Sequence, residues 1–264
     1  PSYKRRESLI NVIADLSKQT VQPKQVFIVD ASPDALKVRP EEVGADINIK
    51  WLSFSVEPNA SAQRNLAISM VETPWILFLD DDIRFDENLL EIYLSLLNTF
   101  KVDGISGLVK LPKYEKFYSV RKTSERLRNV RAENYQGSEK NIETYVICTA
   151  NFLAKTEAIK SVGGFDEQLT GTIDDVDIAL RMQKRGYQII HHPLPEVLHL
   201  QIRSSGARSF GNEWALTNLF YFQYRHFENP QKMVLLFDTL WHYCRPSRDW
   251  LHPALIINRI KDIF

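Results

Sequence analysis

Three consecutive aspartates stand directly after a short apolar segment in the first third of the chain. Asp80, Asp81 and Asp82 follow Trp75–Leu79 without a spacer. Neighbouring carboxylates repel one another, and a divalent cation relieves this repulsion through the oxygen ligands that Mg²⁺ and Mn²⁺ prefer. Because side chains alternate along an extended chain, Asp80 and Asp82 are expected on the same side. We therefore predict a cation site here rather than the alternative, a solvated acidic turn.

A second acidic group opens a predicted helix over residues 175–185. Asp174, Asp175 and Asp177 lie at its start. A carboxylate in the first turn of a helix faces the positive end of the helix dipole, which favours the ionised form that a general base needs. The alternative is helix capping by Asp174. The two roles do not exclude each other, since Asp174 can cap the helix while Asp175 accepts a proton.

One histidine follows a predicted strand in the second half of the chain. His199 comes directly after the apolar pair Val197 and Leu198. Histidine is a common metal ligand, but a single histidine is more often structural. Its position alone therefore leaves both roles open.

The elements that must position these residues alternate between helix and strand. Apolar spacing predicts helices over residues 6–20, 59–71, 86–100, 156–162 and 175–185, with Asn59 or Ser61 able to cap the second. Short apolar segments predict strands over residues 26–29, 47–54, 75–79, 104–109, 146–153, 188–191 and 197–200. Such alternation is typical of α/β proteins, in which a mostly parallel sheet is flanked by helices and ligands bind at the strands' carboxyl ends.

Bulk composition bounds the class of protein. The 264 residues suit one large α/β domain, alone or with a helical extension, and 44% of them are hydrophobic. Lys and Arg number 33, as do Asp and Glu, so the charge balance does not favour nucleic-acid binding. Two cysteines, Cys148 and Cys244, make no disulfide framework and fit a reducing cytosol. Since no run of about 18 apolar residues occurs, we predict no transmembrane helix, and no signal peptide.

Two segments carry an excess of positive charge. Residues 110–140 contain nine Lys or Arg against four Glu, and we expect a helix and a mobile loop there. They form either a solvated face or a flap that attracts phosphates or an anionic acceptor. Residues 201–264 are the second such segment, and from about residue 212 they predict helices rich in aromatic residues, with a strongly apolar stretch over 233–243. These helices either pack on the core or dock on a membrane surface.

The ordered set of motifs resembles the family 2 glycosyltransferases of the GT-A fold. The resemblance extends over about residues 1–200 and rests on eight segments taken in order. They are residues 1–5 (PSYKR), 19–23 (QTVQP), 29–34 (VDASPD), 62–65 (AQRN), 78–82 (FLDDD), 163–167 (GGFDE), 174–181 (DDVDIALR) and 186–187 (GY).

The resemblance implies a metal-dependent, inverting enzyme of the EC 2.4 class. It would move a sugar from a nucleotide-diphosphate sugar, with a UDP-sugar as the leading donor, to an acceptor hydroxyl. Mn²⁺ or Mg²⁺ would be the cofactor. By analogy the acceptor is a saccharide or lipid-linked molecule of surface polysaccharide or glycolipid biosynthesis. The expected location is the cytoplasm, with peripheral contact on the inner membrane face through the C-terminal helices.

The resemblance also implies roles for single residues on the donor side. Asp30 would hydrogen-bond the nucleotide base in a pocket lined by Pro1 and Tyr3, and Arg64 would lie near the nucleotide. The three aspartates at positions 80–82 would also have separate roles. Asp80 would lie by the ribose or donor sugar, with Asp81 next to it, and Asp82 would ligate the metal.

On the acceptor side, the resemblance makes Asp175 the base that deprotonates the acceptor hydroxyl. Asp174 and Asp177 would support it. A histidine near position 199 ligates the metal in many relatives, which favours His199 as a ligand here.

Three departures from the family pattern bear on the expected organisation. The family's first strand should precede Pro1. Ala31 replaces a second acidic residue of the first loop, so base recognition would rest on Asp30, and Asp174 stands where Glu is usual. The Gln-x-x-Arg-Trp signature of processive synthases is absent, which favours a single transfer. We expect a nucleotide-sugar-binding half (1–109), an acceptor and catalytic half (110–200) and a C-terminal helical extension (201–264).

Two other classes of protein compete with this interpretation. A phosphohydrolase of the HAD type also places Asp-x-Asp after an apolar strand, with Asp80 as nucleophile. Its signature continues to Thr or Val where this chain has Ile83 and Arg84. A non-catalytic carbohydrate- or nucleotide-binding homologue is the other alternative, and the full set of carboxylates argues against it.

Overall fold

The structure, a computed structural model, describes residues 1–34, 38, 42, 47–111, 114–118, 142–143, 147–169, 171, 173–200, 212–226 and 228. The helices are α1 (Arg6–Ser17), α2 (Ala60–Met70), α3 (Leu89–Thr99), α4 (Thr156–Ser161), α5 (Asp174–Lys184) and α6 (Asn212–His226). The strands are β1 (Val26–Asp30), β2 (Ile49–Ser53), β3 (Trp75–Leu79), β4 (Ile83–Arg84), β5 (Gly104–Leu111), β6 (Tyr114–Tyr118), β7 (Ile142–Glu143), β8 (Asn151–Lys155) and β9 (Ile189–His199).

Local signals in the sequence set the ends of two helices near the site. The side chain of Asn59 accepts a hydrogen bond from the Ala62 N–H at 3.1 Å, so Asn59 caps α2 as predicted. Gly186 follows α5 with φ +86°, a left-handed conformation that glycine adopts without strain. A short polar residue thus sets the start of α2, and a glycine sets the end of α5.

Most strands belong to one sheet with the order β3-β8-β5-β9-β4. In it β5 and β9 run parallel, while β8 is antiparallel to both of its neighbours. A separate parallel pair is formed by β1 and β2. The expectation of a mostly parallel sheet is therefore wrong, and the sheet is mixed. The helix–strand alternation of the sequence does not reveal that β8 enters between two earlier strands.

The two strands predicted over residues 188–191 and 197–200 are parts of the single strand β9. Ser106 of β5 pairs with His191, but Leu108 pairs with Glu196, so residues 192–195 bulge opposite Gly107. The bulge accommodates two prolines, which have no N–H for the ladder. A Cβ on Gly107 would lie 2.5 Å from the Pro195 carbonyl oxygen, so only glycine fits here.

Helices cover both faces of the sheet. One hydrophobic cluster joins Val12 of α1 and Tyr93 of α3 to β5 and β9. The other joins α2, α4 and α5 to the opposite face, with Ile159 and Met182 completely buried. The α/β class with a central sheet flanked by helices is thus confirmed, and it brings the ends of β3 and β9 close to the start of α5.

A cavity of about 680 Å³ lies between β1 and β3, lined largely by apolar residues of these strands and of α1, α2 and α3. At its end Ser2 forms a parallel bridge with Asp30, and its N–H donates to the Val29 carbonyl at 2.9 Å. The domain boundaries at 109 and 200 stay predictions.

Several predictions fall wholly or partly outside the described residues. Of the basic segment 110–140, the structure describes only the end of β5 and the strand β6. The apolar stretch 233–243 and Cys244 lie outside. The expected helix after residue 212 is present as α6. Within the part of the chain that the structure describes, no helix is long and apolar enough to cross a membrane.

Candidate active site

The predicted cation site lies where β3 ends beside the end of β9. Ile83 of β4 pairs with His199, which brings this histidine next to the aspartate run. Its Nε2 lies 2.9 Å from Asp82 Oδ1 and 3.8 Å from Asp80 Oδ2. One ligand atom from each of Asp80, Asp82 and His199 lies within 4.8 Å of the others, so this metal cluster could hold a metal ion. Two carboxylates and an imidazole suit Mn²⁺ or Mg²⁺.

Electrostatics around His199 agree with a site built for positive charge. Burial lowers the pKa of His199, but the hydrogen bond to Asp82 and the charges of Asp80 and Asp82 outweigh it, and the pKa is raised. The two carboxylates thus favour a positive charge at this point, which a bound metal ion would supply.

Asp81 is paired with a guanidinium group rather than with His199. Its Oδ1 accepts a hydrogen bond from the Arg5 guanidinium at 2.7 Å, and the same guanidinium lies 3.2 Å from Asp82 Oδ2. Burial raises the pKa of Asp81, and the charge of Arg5 opposes this shift. Arg5 was not among the predicted site residues, although three successive carboxylates signal that a nearby cation is needed.

Arg64 connects the metal cluster to the start of α5. From α2 its guanidinium contacts Asp174 Oδ2 at 2.8 Å and Asp80 Oδ1 at 3.2 Å, and lies 5.3 Å from the centre of the Phe165 ring. Only 7% of Arg64 is exposed. The predicted position near the nucleotide stays untested, but two carboxylates from different parts of the chain already occupy this guanidinium.

The first turn of α5 is held in an unusual backbone conformation. We call residues 173–177 the α5 turn. Ile173, its N-cap residue, has φ +69° and no side-chain cap hydrogen bond is made. A β-branched residue in this region costs about 1–3 kcal/mol and persists only where the surroundings hold it. Capping by Asp174 is therefore not observed, because its carboxylate binds Arg64 instead.

Asp175 is the partly buried acid of this turn. Its Oδ1 accepts a hydrogen bond from the Val176 N–H at 2.9 Å. Burial and the neighbouring charge of Asp174 raise the pKa of Asp175 from 3.8 to about 7. The helix dipole was predicted to favour the ionised form of Asp175, but burial has the larger effect on its pKa. A carboxylate with a pKa near neutrality suits proton transfer better than one with an ordinary value.

Asp177, which was predicted to support the acceptor side, is fully engaged by protein groups. Its Oδ2 accepts from the Arg181 guanidinium at 2.8 and 2.5 Å, and its Oδ1 lies 2.6 Å from His226 Nε2. No part of the Asp177 side chain is exposed. Sequence reasoning missed His226, since a histidine in an aromatic-rich helix carries no local signal of its partner.

The predicted base-pocket residues meet at the end of β1. Asp30 is 5% exposed, and its Oδ1 accepts from the Ser32 N–H at 2.9 Å. Gln63 donates to the carbonyls of Ser2 and Val29, which ties α2 to this end of the sheet. Pro1 and Tyr3 flank Ser2 and are only partly buried. The motifs at residues 1–5, 29–34 and 62–65 thus assemble on one side of the metal cluster.

Comparison with known proteins identifies the class to which this fold and candidate site belong. The family model of glycosyl transferase family 2 matches residues 1–163, more than half of the chain, and the chain belongs to that family. This confirms the family predicted from the ordered motifs. It also excludes the phosphohydrolase alternative, which requires a different fold.

Curated relatives resemble part of the chain. A pre-mycofactocin glycosyltransferase of Mycobacterium tuberculosis is 24% identical over 183 residues, covering 66% of this chain and 37% of that protein. A teichoic acid poly(glycerol phosphate) polymerase of Staphylococcus epidermidis is 25% identical over 178 residues, covering 65% of this chain and 24% of the relative. The chain therefore spans well under half the length of these relatives.

Solved structures resemble the whole chain. S. aureus TarS 1–349 in complex with UDP-GlcNAc has a TM-score of 0.67 at 16% identity, covering 100% of this chain and 78% of that one. The mannosyltransferase PcManGT of Pyrobaculum calidifontis, in complex with GDP-Man and Mn²⁺, has a TM-score of 0.61 at 16% identity, covering 100% and 72%. At this identity the likeness shows the shared fold.

Proposed function

We propose that this protein is a metal-dependent inverting glycosyltransferase that moves a sugar from a UDP-sugar to an acceptor hydroxyl. The observation that carries the proposal is the link through Arg64 between the metal cluster and the α5 turn. It places a site for cationic charge beside the turn that carries Asp175, whose pKa is raised to about 7. A diphosphate leaving group needs the first, and a hydroxyl nucleophile needs the second.

The metal cluster and the residues at the end of β1 would bind the sugar donor. Asp80, Asp82 and His199 would hold Mn²⁺ or Mg²⁺, which when bound stabilises negative charge on the departing nucleoside diphosphate. Asp30 would hydrogen-bond the base between Pro1 and Tyr3. UDP is proposed because TarS was solved with UDP-GlcNAc, while the GDP-Man complex of PcManGT keeps GDP as the competing nucleotide.

Asp175 would act on the acceptor. Its ionised carboxylate would accept the proton of the acceptor hydroxyl as that oxygen attacks the anomeric carbon. The bond from that carbon to the diphosphate oxygen breaks on the opposite side, so the configuration inverts. Asp174 would keep Arg64 in place beside the reacting groups. The acceptor is proposed to be a saccharide or lipid-linked precursor of surface polysaccharide, as the staphylococcal relative's name favours, reached from the cytoplasmic side of the membrane.

A nucleotide-release screen tests the proposal. The full-length protein is incubated with UDP-, GDP- and dTDP-sugars and either Mn²⁺ or Mg²⁺, with and without saccharide acceptors. We expect metal-dependent release of one nucleoside diphosphate, and its loss in Asp175→Asn. A flat response to every donor contradicts the proposal. If calorimetry then still shows UDP binding, the protein belongs to the non-catalytic class instead.

A further inference from the structure

Helix α6 contacts two acidic residues near Asp175, one on each side of it in the sequence. His226 Nε2 lies 2.6 Å from Asp177 Oδ1, and both side chains are buried, with 4% and 0% exposed. Eleven residues before Asp177, Asp166 of the Gly-Gly-Phe-Asp-Glu motif accepts a hydrogen bond from the Tyr221 hydroxyl at 3.0 Å and pairs with Arg225. We call these three contacts the α6 anchor.

The orientation of His226 is fixed from a second direction. Lys184, at the end of α5, donates to the His226 carbonyl at 2.9 Å, and its Nζ lies 3.4 Å from His226 Nδ1. Since an ammonium group is only a donor, this contact favours the tautomer in which Nδ1 accepts and Nε2 donates its proton to Asp177. The ring of Phe222 lies against His226, with 4.7 Å between ring centres.

The anchor acts on the same turn that carries Asp175. Asp177 lies two residues after Asp175, and its N–H closes the α5 turn by donating to the Ile173 carbonyl at 2.8 Å. Ile173 has the left-handed backbone that only its surroundings can hold. Arg64 holds this turn through Asp174, and α6 holds it through Asp177.

We infer that His226 and Asp177 are positioning residues for Asp175, so that α6 is part of the acceptor side rather than an appendix to the catalytic domain. This inference rests on the proposed function. It assigns Asp177, predicted to support the acceptor side, to the α6 anchor together with Asp166. Neither residue touches the reacting atoms, and both act through the placement of the α5 turn.

The test compares three variants of the full-length protein. His226→Ala removes the contact to Asp177. His226→Gln keeps an N–H at the same distance from the backbone and should restore the contact. Lys155→Ala is the matched control, because it removes a 2.7 Å ion pair with Asp103 at the edge of the fold away from the site. Thermal stability, the Kd for UDP with Mn²⁺, and kcat and KM for the donor found in the screen are measured for each.

We expect His226→Ala to lower kcat at least tenfold while the Kd for UDP changes less than twofold. His226→Gln should keep kcat within threefold of the parent protein, and Lys155→Ala within twofold even where its thermal stability falls equally. An unchanged kcat in His226→Ala, or an equal fall of kcat in Lys155→Ala, overturns the inference.

Hydrogen exchange separates this inference from the proposed function. If the parent protein turns over no donor, the proposed function fails, but the anchor is still tested by exchange of the amides of residues 176–178. We expect His226→Ala, but not Lys155→Ala, to exchange these amides at least ten times faster. Equal protection in both variants contradicts the anchor whatever the activity.

Discussion

The metal cluster and the α5 turn are both acidic, but their charges are balanced in different ways. In the metal cluster, Asp80 and Asp82 converge on one point together with His199. In the α5 turn each acid has a separate partner: Asp174 binds Arg64, Asp177 binds Arg181 and His226, and Asp175 accepts from a backbone N–H. Converging carboxylates favour a cation, whereas a single desolvated carboxyl group exchanges a proton near neutral pH.

The largest expected effect comes from removing the proton acceptor of the α5 turn. Asp175→Asn should lower the transfer rate about 10²- to 10⁴-fold, because an amide cannot accept the acceptor's proton. The Kd for UDP with Mn²⁺ should stay within twofold, since the donor side is untouched. Transfer kinetics and calorimetry measure the two quantities. Parent-like transfer by Asp175→Asn would exclude Asp175 as the base.

Removing a ligand from the metal cluster should lower both turnover and metal binding. Asp82→Ala is expected to lower donor turnover about 10²- to 10³-fold, because charge on the leaving group loses its stabilisation. Here Mn²⁺ binding should weaken as well, as titration calorimetry would show. Asp86→Asn, which changes an exposed carboxylate four residues later, is the control and should behave as the parent. If Asp82→Ala binds Mn²⁺ normally, the ligand assignment is wrong.

Arg64 joins the two regions, and its removal should affect stability. Arg64→Ala leaves the buried carboxylate of Asp174 without its cation, and breaking a buried pair in this way costs about 3 kcal/mol of unfolding free energy. Lys155→Ala breaks a more exposed pair and should cost less than about 1 kcal/mol. Urea denaturation of both variants gives the comparison. Equal losses of unfolding free energy in the two variants would show that Arg64 does not bridge the metal cluster and the α5 turn in solution.

The smallest expected effect is a shift in the pH dependence of the transfer rate when a metal ion binds at the metal cluster. With its pKa at about 7, Asp175 is protonated at lower pH, so the transfer rate should rise as pH passes through 7. The charge of Asp80 contributes to this raised pKa. A metal ion on Asp80 should therefore lower the apparent pKa, and the rate profile should move to lower pH as Mn²⁺ rises. A profile independent of Mn²⁺ contradicts the coupling.

The same group gives a stability prediction whose sign is opposite to that of an ordinary carboxylate. The pKa of Asp175 is higher in the folded protein than its usual 3.8. The folded state then binds the extra proton, so this group destabilises the fold progressively as pH rises from about 4 to about 7. Thermal unfolding of the parent should lose stability relative to Asp175→Asn across that interval, and parallel curves would contradict it.

Features that depend on a few neighbouring residues could be predicted from the sequence. Asn59 caps α2 and Gly186 ends α5 because each acts on its own helix. Asp80 and Asp82 both lie in the short turn between β3 and β4, and His199 joins them as the resemblance implied. The two helix ends and the aspartate run need only local spacing, whereas the place of His199 was implied by the resemblance to the family.

Features that depend on distant segments could not be predicted in the same way. The entry of β8 between β3 and β5 and the bulge at residues 192–195 are set by pairing across the sheet. The pKa of Asp175 depends on burial that no local pattern reveals. The partners of Arg64 come from 16 and 110 positions away. A sequence pattern names the acids of this site, but only tertiary packing decides which of them keep a free oxygen for chemistry.

The bridge made by Arg64 sets a rule for building hybrids from this family. A chimera that joins the donor half of one member to the acceptor half of another would separate Arg64 and Asp80 from Asp174. Unless the incoming half supplies an acid in the same place, the buried guanidinium of Arg64 loses one of its two carboxylate partners. Donor specificity can therefore be exchanged between relatives only as a set that keeps positions 64, 80 and 174 mutually matched.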